Sequence, residues 1–426
     1  MIDIRRIRKD PEFIRQGLAK RGQTYDFDQL LQWDTRRREL IQETEALKMQ
    51  RNQANERIKV LRAEGESFQP VIEEMKSISA EIKQLDAELA DIEIRIQNFL
   101  DGLPNVPDEE VPAGGKENNV PLYQFGEPRE FDFEPKEHVE LATALGLIDF
   151  ERGTKLGGSG TWIYTGNGAL IEWALLNYFV AEHLKDGYTF ILPPHILTYD
   201  CGYAAGQFPK FEEDVYLVNT EVGGKTQFLL PTSETALVNL YRDEIIPEDE
   251  LPKKFFSYTP CYRREAGGYR ASERGTVRGH QFNKVEMFQY TVPDGSEQAL
   301  QELLNKAETL VKGLGLHYRT SLLAAEDVGA AMAKTFDVEV WIPSIGYKEI
   351  SSVSNARDYQ ARRGQIRFKS SETGKNRFVH TLNASGLATS RLIPAILEQF
   401  QQADGSVLVP EVLQKWVPMS VLESVG

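Results

Sequence analysis

Apolar residues between positions 71 and 99 recur with steps that alternate between four and three residues. The nine residues fall on one heptad seam, which predicts an amphipathic α-helix of about four heptads. They are Val71, Met75, Ile78, Ile82, Leu85, Leu89, Ile92, Ile96 and Phe99. The preceding segment carries a less regular seam with three polar positions, at Leu30, Trp33, Arg37, Leu40, Thr44, Leu47, Arg51, Ala54, Ile58 and Leu61.

The short segment 64–70 separates these two helical patterns. Gly65 can end the first helix and Pro70 can open the second. A short turn between long helices predicts an antiparallel hairpin, and at 1.5 Å per residue each helix would reach about 45–50 Å. The period alone favours an oligomerisation coiled coil over a ligand-binding arm, and the mixed charges on the first helix are typical of a solvated face.

A change of pattern follows the hairpin. Residues 101–120 contain three prolines and three glycines, which predicts a linker. Beyond it, helical patterns at 137–147 and 168–184 mix with β-rich runs at 227–230, 284–291, 338–342 and 377–381. Because few helices separate the strands, we expect an α+β domain with an antiparallel sheet. The predicted organisation is a helical N-terminal domain (1–100), a linker (101–120) and a larger domain (121–426).

Composition narrows the class of protein. The chain has 426 residues, and its two cysteines argue against a disulfide scaffold or a multi-cysteine zinc site. The N-terminal residues lack the apolar core of a signal peptide and no apolar run reaches about 18 residues, so we expect a cytoplasmic location and no membrane span.

Charge is distributed unevenly along the chain. The net charge of −15 argues against a broadly basic surface for nucleic acid. Residues 1–22 nevertheless carry seven basic and three acidic side chains, and residues 357–377 carry seven and two. These local excesses of +4 and +5 leave room for positive patches that face RNA.

Glycine motifs do not supply a phosphate cradle. The segment 223–226 ends like a P-loop, but Asn219 stands where the loop needs glycine, so a hairpin turn is the better interpretation. The segment 157–160 fails the dinucleotide pattern as well. A nucleotide site in this chain therefore has to use other chemistry.

The segment 259–290 suggests that chemistry. Arg263, Arg264 and Glu265 end one β-rich run, and Arg278 opens another after a glycine-rich stretch. Arginine binds phosphates and carboxylates in a bidentate manner, and Phe282 lies where it could stack on a base. A solvated loop between two edge strands is the alternative interpretation.

Two weaker patterns lie downstream. The run 348–352 predicts Glu349 and Ser351 on one strand face with Ser352 at its end, and such oxygens either bind a divalent cation or are ordinary strand polar groups. The segment 383–391 predicts a loop that runs into a helix and places Arg391 one turn past Leu387.

In this order and spacing, these segments resemble the three signature motifs of the class II aminoacyl-tRNA synthetases. Residues 187–194 resemble motif 1, with Pro194 as the dimer-interface proline, residues 263–282 resemble motif 2, and residues 386–391 resemble motif 3. The runs 232–234, 282–287, 349–352 and 380–386, together with the helical hairpin before the catalytic domain, closely resemble the seryl-tRNA synthetase family. The resemblance covers essentially the full chain.

The resemblance implies a reaction and a set of partners. A member of this family activates L-serine with ATP to seryl-adenylate and transfers serine to the 3′ end of tRNA(Ser), and also to tRNA(Sec) where that tRNA exists. It works as a homodimer with Mg²⁺, and its helical hairpin reaches the variable arm of the tRNA. For the predicted hairpin, the resemblance therefore favours an RNA-binding arm over an oligomerisation coiled coil.

The resemblance also assigns roles residue by residue. The catalytic arginines would be Arg263, Arg278 and Arg391, and Mg²⁺ would be held by Glu349 and Ser352. The serine-binding residues would be Thr232, Ser233, Glu234, Arg263, Glu286, Asn383 and Ser385. The ATP-binding residues would be Arg263, Arg264, Glu265, Gly279, Phe282, Glu349, Ile350, Ser351, Ser352 and Arg391. The loop 267–275 would touch the acceptor end of the tRNA.

Two departures from the family pattern are visible. Arg264 stands where many members carry serine, and Gly279 stands where many carry a larger apolar residue. Two alternative functions also stay open, namely a class II synthetase for another amino acid and a non-catalytic RNA-binding paralogue. The intact Arg263, Glu265 and Arg391 argue against the paralogue.

Overall fold

The computed structural model describes residues 1–265 and 274–423. The helices are α1 (Ile4–Lys9), α2 (Pro11–Ala19), α3 (Asp28–Glu64), α4 (Gln69–Asp101), α5 (His138–Ala144), α6 (Phe150–Gly157), α7 (Asn167–Lys185), α8 (Tyr199–Ala205), α9 (Glu234–Leu237), α10 (Ser296–Gly313), α11 (Tyr359–Arg363) and α12 (Thr389–Phe400). The strands are β1 (Val120–Phe125), β2 (Ile148–Asp149), β3 (Ile163–Tyr164), β4 (Thr189–Ile191), β5 (Ile196–Leu197), β6 (Leu217–Val222), β7 (Lys225–Leu229), β8 (Ile245–Pro247), β9 (Lys253–Tyr262), β10 (Gln281–Thr291), β11 (Tyr318–Leu322), β12 (Lys334–Ile342), β13 (Gly346–Arg357), β14 (Arg367–Lys369), β15 (Asn376–Phe378), β16 (His380–Ala388), β17 (Val407–Leu408) and β18 (Val421–Leu422).

One compact unit comprises Ile2–Gln16 and Gln23–Leu103, and helices α3 and α4 form most of it. The two helices pack along the predicted seams, where Leu40 and Ile82 are buried. Gly65 caps α3 with a φ of 74°, a left-handed conformation that glycine adopts without steric cost, and α4 opens with a proline in its first turn. The predicted helical hairpin and its turn are confirmed.

Two features close the base of this hairpin. The rings of Phe27 and Phe99 lie 6.3 Å apart in an edge-to-face arrangement, so the start of α3 and the end of α4 are neighbours. Asp34 is fully buried and accepts hydrogen bonds from Arg8 and Arg37. A buried carboxylate is stable only when it is paired in this way.

The other compact unit comprises Met1, Gly17–Gly22 and Pro104–Gly426. Its centre is an eight-stranded sheet with the order β1-β11-β12-β13-β16-β10-β9-β4. Neighbouring strands are antiparallel except at one edge, where β4 runs parallel to β9. The predicted α+β class with an antiparallel sheet is confirmed.

The two faces of the sheet differ in chemistry. Side chains alternate between faces along a strand, so Val285 and Met287 of β10 join the apolar core with helices α7, α10 and α12. Glu286 lies between them in sequence and belongs to the opposite face. This alternation gives the sheet one apolar face and one face on which polar groups can gather.

The structure corrects two local predictions. The segment 383–391 was predicted as a loop before a helix, but its first part belongs to strand β16 because β10 and β13 pair with it on both sides. In β13 a bulge at Ile350 breaks the alternation, so Glu349 and Ser352 share the polar face whereas Ser351 bonds the carbonyl of Ser385.

No helix within residues 1–265 and 274–423 is both long enough and apolar enough to cross a membrane.

Candidate active site

Polar side chains cross the centre of the sheet from strand to strand. Thr335 faces Ser354, which in turn faces Asn383, and one row further Glu286 faces Ser385. The Thr335 and Ser354 hydroxyls lie 3.0 Å apart, and Asn383 Nδ2 donates to Glu286 Oε1 at 3.0 Å. Four neighbouring strands thus hold these groups in fixed register.

A cavity of about 270 Å³ lies on this face. Most of the residues predicted for the site line it, namely Thr232, Glu234, Arg263, Glu265, Arg278, Gly279, Phe282, Glu286, Glu349, Ile350, Ser352, Asn383, Ser385 and Arg391. The lining also includes residues that the sequence did not indicate, namely Val277, Lys284, Leu323, Asp327, Gly329, Met332, Thr335, Ser354, Ala388 and Ser390.

Three predicted residues take other positions. Ser233 is fully buried and its Oγ has no hydrogen-bond partner within the described residues. Arg264 Nη1 donates to the Glu213 carbonyl at 3.2 Å, and Ser351 is buried beneath the sheet surface. None of the three appears among the lining residues of the described cavity. The predicted acceptor-end loop, 267–275, falls mostly outside the described residues.

Glu286 is the best-connected carboxylate of the cavity. It is 1% exposed, and besides the Asn383 amide it accepts from the Ser385 hydroxyl at 3.3 Å and pairs with Lys284 Nζ at 2.6 Å. A carboxylate offers about four lone-pair positions, so about one acceptor position of Glu286 stays open for a ligand. Lys284 also donates to the Thr232 hydroxyl at 2.7 Å.

Glu234 is a second buried carboxylate in the same cavity. Its Oε1 accepts from the Gln360 amide at 2.8 Å. Burial, with the negative charge of Glu286, raises the pKa of Glu234 to about 7. A positively charged ligand beside Glu234 would therefore stabilise its ionised form strongly.

Three arginines make the opposite part of the cavity cationic. The Arg263 guanidinium lies 5.1 Å from the centre of the Phe282 ring, a cation–π contact. Arg391 is held by the Val277 carbonyl at 3.1 Å and the Glu349 carbonyl at 2.6 Å. Arg278 donates to the Glu265 carboxylate. The cavity therefore combines an anion-binding part with an aromatic face.

Gly279 is explained by its neighbour. A Cβ at this position would lie 2.2 Å from Cζ3 of Trp162 and 2.8 Å from the Gly160 carbonyl. The indole thus fills the space that a larger residue at 279 would occupy. This packing accounts for the departure from the family pattern and leaves the main chain of Gly279 at the cavity wall.

Three oxygen-bearing side chains lie together at the edge of the cavity. Ser352 Oγ lies 2.5 Å from Asp337 Oδ1 and 3.2 Å from Glu349 Oε1. No sequence pattern indicated Asp337, whose pKa is raised by burial and by the Glu349 carboxylate. The Arg391 and Arg263 charges lower the pKa of Glu349.

These oxygens suit Mg²⁺. Within the described residues, no three His, Cys, Asp or Glu side chains form a metal cluster. Mg²⁺ commonly takes one or two protein oxygens and completes its shell with water and substrate phosphates, which agrees with a small set such as Glu349 and Ser352.

Glu172 is a buried residue that the sequence did not indicate. Its Oε1 accepts from Asn283 Nδ2 at 2.7 Å and from Thr389 Oγ1 at 2.6 Å. Helix α7 is thereby fastened both to the strand that carries Phe282 and to the start of the helix that carries Arg391. The available signal was a glutamate among apolar residues in the first half of a predicted helix.

Known proteins resemble the chain over its whole length. The family model "tRNA synthetase class II core domain (G, H, P, S and T)" matches residues 216–400, and the model "Seryl-tRNA synthetase N-terminal domain" matches residues 1–107. Serine–tRNA ligase 2 of Clostridium acetobutylicum is 60% identical over 98% of this chain and 99% of its own. Serine–tRNA ligase of Thermodesulfovibrio yellowstonii is 44% identical over 99% of this chain and 100% of its own.

A solved structure agrees with these relatives. The seryl-tRNA synthetase of Pyrococcus horikoshii, complexed with ATP, superposes with a TM-score of 0.93 at 32% identity and covers 100% of both chains. The helical hairpin, the antiparallel sheet and the identities over nearly the full length lead to one conclusion. The chain belongs to the seryl-tRNA synthetase family of class II aminoacyl-tRNA synthetases.

Proposed function

We propose that this chain is a serine–tRNA ligase. It activates L-serine with ATP, releases diphosphate and transfers serine from the adenylate to the 3′ end of tRNA(Ser). The observation that carries the proposal is the buried Glu286 carboxylate, which has three partners and about one further acceptor position, in one small cavity with Glu234 and Arg263. Such a cavity suits a small zwitterion that bears a hydroxyl.

The first step brings two anions together. The serine carboxylate attacks the α-phosphate in line, and diphosphate leaves. Arg263 and Arg391 reduce the repulsion between the anions and stabilise the charge that develops on the phosphate oxygens. Arg278, which pairs with Glu265, would contact a phosphate of ATP. Glu349 and Ser352 would hold Mg²⁺, which would supply further charge neutralisation.

The adenine of ATP would stack between Phe282 and the Arg391 guanidinium. The main chain beside Gly279 and the acid Glu265 would read its edge. The flat guanidinium and the aromatic ring both favour a planar heterocycle.

Serine selection follows from Glu286. The serine hydroxyl donates to the open acceptor position, whereas alanine shields that position from water without supplying a donor. A buried acceptor position of a charged group that lacks a donor costs more than an ordinary hydrogen bond, which disfavours alanine. Threonine carries the hydroxyl and has to be rejected by the size of the cavity.

ATP–pyrophosphate exchange with a panel of amino acids tests this function. We expect strong exchange with serine and little with alanine, threonine or proline. Exchange with proline or threonine and none with serine would favour another class II specificity. No exchange with any amino acid, together with tRNA binding, would favour the non-catalytic paralogue.

Glu234 makes serine activation dependent on pH. The serine ammonium needs the ionised carboxylate, and because the Glu234 pKa is raised to about 7, that form dominates only above neutrality. We expect kcat/KM for serine to fall about tenfold per pH unit below this pKa. kcat/KM for ATP at saturating serine should lack this inflection.

Two variants test whether Glu234 is the group that causes this inflection in the pH profile. Burial also raises the pKa of Glu172 to about 7. Glu234→Gln should lower kcat/KM for serine and remove the inflection, whereas Glu172→Gln should retain it. An inflection that survives Glu234→Gln and vanishes in Glu172→Gln would contradict this assignment.

A homodimer is part of the proposal. Strand β4 lies at the edge of the eight-stranded sheet, and its Phe190 and the following Leu192 are 38% and 70% exposed. Leu170, Trp173 and Leu184 of helix α7 are exposed as well. Contiguous exposed apolar side chains beside an open strand edge are typical of an interface.

Light scattering measures the oligomeric state. We expect a mass of twice the chain mass of 48.3 kDa, and a shift to the single-chain mass in Leu192→Glu. A fully active protein with the single-chain mass would contradict the dimer.

The α3–α4 hairpin is proposed to bind the tRNA outside its acceptor end, through backbone and shape. Charging of tRNA(Sec) and a cytoplasmic location stay predictions from the family resemblance.

A further inference from the structure

One wall of the cavity is formed by irregular backbone. Residues 323–333 connect β11 to β12 without a helix or a strand of their own. Leu323, Asp327, Gly329 and Met332 from this connection line the cavity. Backbone outside helices and sheets has carbonyl groups that need other donors, so something must fix this wall.

Arg21 supplies several of those donors. Its side chain is buried, with 6% of the residue exposed, and its guanidinium reaches four carbonyls of the connection. Nη1 donates to Ala325 at 3.0 Å and to Val328 at 2.7 Å, and Nη2 donates to Met332 at 2.5 Å and to Gly329 at 3.5 Å. One planar guanidinium thus binds the backbone at both ends of the segment 325–332.

The same side chain ties the wall to the segment after the helical hairpin. Arg21 Nε donates to the Asn105 carbonyl at 3.0 Å. The Asn105 side-chain amide in turn donates to the carbonyls of Ala331 at 3.0 Å and Ala356 at 2.8 Å. Residues predicted as a linker are therefore part of the support of this wall.

The wall continues into the serine end of the cavity. Leu323 N donates to the Thr335 carbonyl at 3.0 Å, and the Thr335 hydroxyl meets that of Ser354. Ser354 faces Asn383, whose amide holds Glu286. The adenine end lies at Phe282 and Arg391, which belong to strand β10 and helix α12.

We propose that Arg21 is a positioning residue for serine binding. It does not touch the substrate. It fixes the 323–333 wall so that the cavity keeps the size that accepts serine beside Glu286. This inference rests on the proposed function, since it concerns serine affinity.

Lys20 offers a matched control. Its Nζ also donates to backbone carbonyls, those of Asp108 at 3.3 Å, Glu109 at 2.7 Å and Val111 at 3.1 Å. It is adjacent in sequence and carries the same charge, but these three carbonyls belong to residues 108–111 and not to the 323–333 wall. The Lys20→Met variant therefore shows how much the two KM values change when another backbone-binding cation of this segment is lost.

The experiment compares Arg21→Met, Arg21→Lys and Lys20→Met with the wild type in serine-dependent ATP–pyrophosphate exchange. Each variant is assayed well below its own Tm. For Arg21→Met we expect the KM for serine to rise about tenfold or more and the KM for ATP to stay within about twofold. Arg21→Lys should be intermediate, because lysine keeps the charge without the planar fork, and Lys20→Met should keep both KM values.

Three results would overturn the inference. The first is a lower Tm in Arg21→Met with an unchanged KM for serine. The second is an equal rise of the KM for serine and the KM for ATP in Arg21→Met. The third is a rise of the KM for serine in Lys20→Met that equals the rise in Arg21→Met. Should Arg21→Met fail to fold, the same criteria apply to Arg21→Lys. A wild type without serine-dependent exchange would instead defeat the proposed function, so the two failures are distinguishable.

Discussion

Arg263→Ala is expected to lower serine-dependent ATP–pyrophosphate exchange by about 10³-fold or more. The guanidinium lines the cavity and stacks on Phe282, and in the proposed function it binds both the serine carboxylate and the α-phosphate. Removal of one preorganised donor typically lowers a rate by about 10²–10³-fold, and loss of a transition-state arginine by more. The effect should fall on kcat as well as on KM.

Two further variants serve as controls for Arg263→Ala. Arg263→Lys keeps the charge but loses the planar fork, so we expect an intermediate rate. Arg152→Ala removes an exposed arginine that pairs with Asp149 in helix α6 and should leave exchange unchanged. All three proteins should keep the mass and the Tm of the wild type within a few degrees. Near-normal exchange in Arg263→Ala would contradict its role.

Deletion of residues 29–98 should separate the two steps of the reaction. The cavity lining comes from residues 232–391, so serine adenylate formation should stay within about threefold of the wild type. Charging of tRNA should fall by about 100-fold or more, because the contacts with the tRNA backbone are lost. Phe27 and Phe99 lie side by side, so a short Gly-Ser linker can join the cut ends.

Exchange and charging are measured on the same preparation. Normal exchange serves as the internal control for folding of the remaining chain. Equal charging by the shortened and the complete chain would reduce the hairpin to a coiled coil without a role in tRNA binding. Loss of both activities would show that the hairpin is needed for the catalytic unit itself.

The sequence predicted the hairpin well because its signal is local. Each seam residue contacts the facing helix at a fixed heptad interval, and the turn is set by Gly65 and Pro70. Arg263, which follows the end of β9, and Glu286, in the middle of β10, were also found, since the order and spacing of their motifs resemble a known family.

Contacts between distant segments were not predictable in this way. In the sequence, Lys284 cannot be distinguished from an ordinary strand lysine. Its part in the site becomes visible only in the structure, where Thr232 and Glu286 lie beside it. Asp337 becomes part of the site only because β12 pairs with β13. The bulge at Ile350 changes which side chains face the cavity, and strict alternation cannot anticipate it.

A positive patch that faces RNA within residues 1–22 stays a prediction. Two basic residues of this segment, Arg21 and Lys20, bind backbone carbonyls of the chain itself. Which charges face solvent is decided by tertiary packing, and net charge carries no information about that.

Charging of total tRNA with labelled serine, followed by sequencing of the charged tRNA, tests the central claim most directly. We predict ATP-dependent serine esters on tRNAs with serine anticodons, and none when alanine or threonine replaces serine. Serine-dependent exchange without any charged tRNA, or charging with another amino acid, would contradict the account.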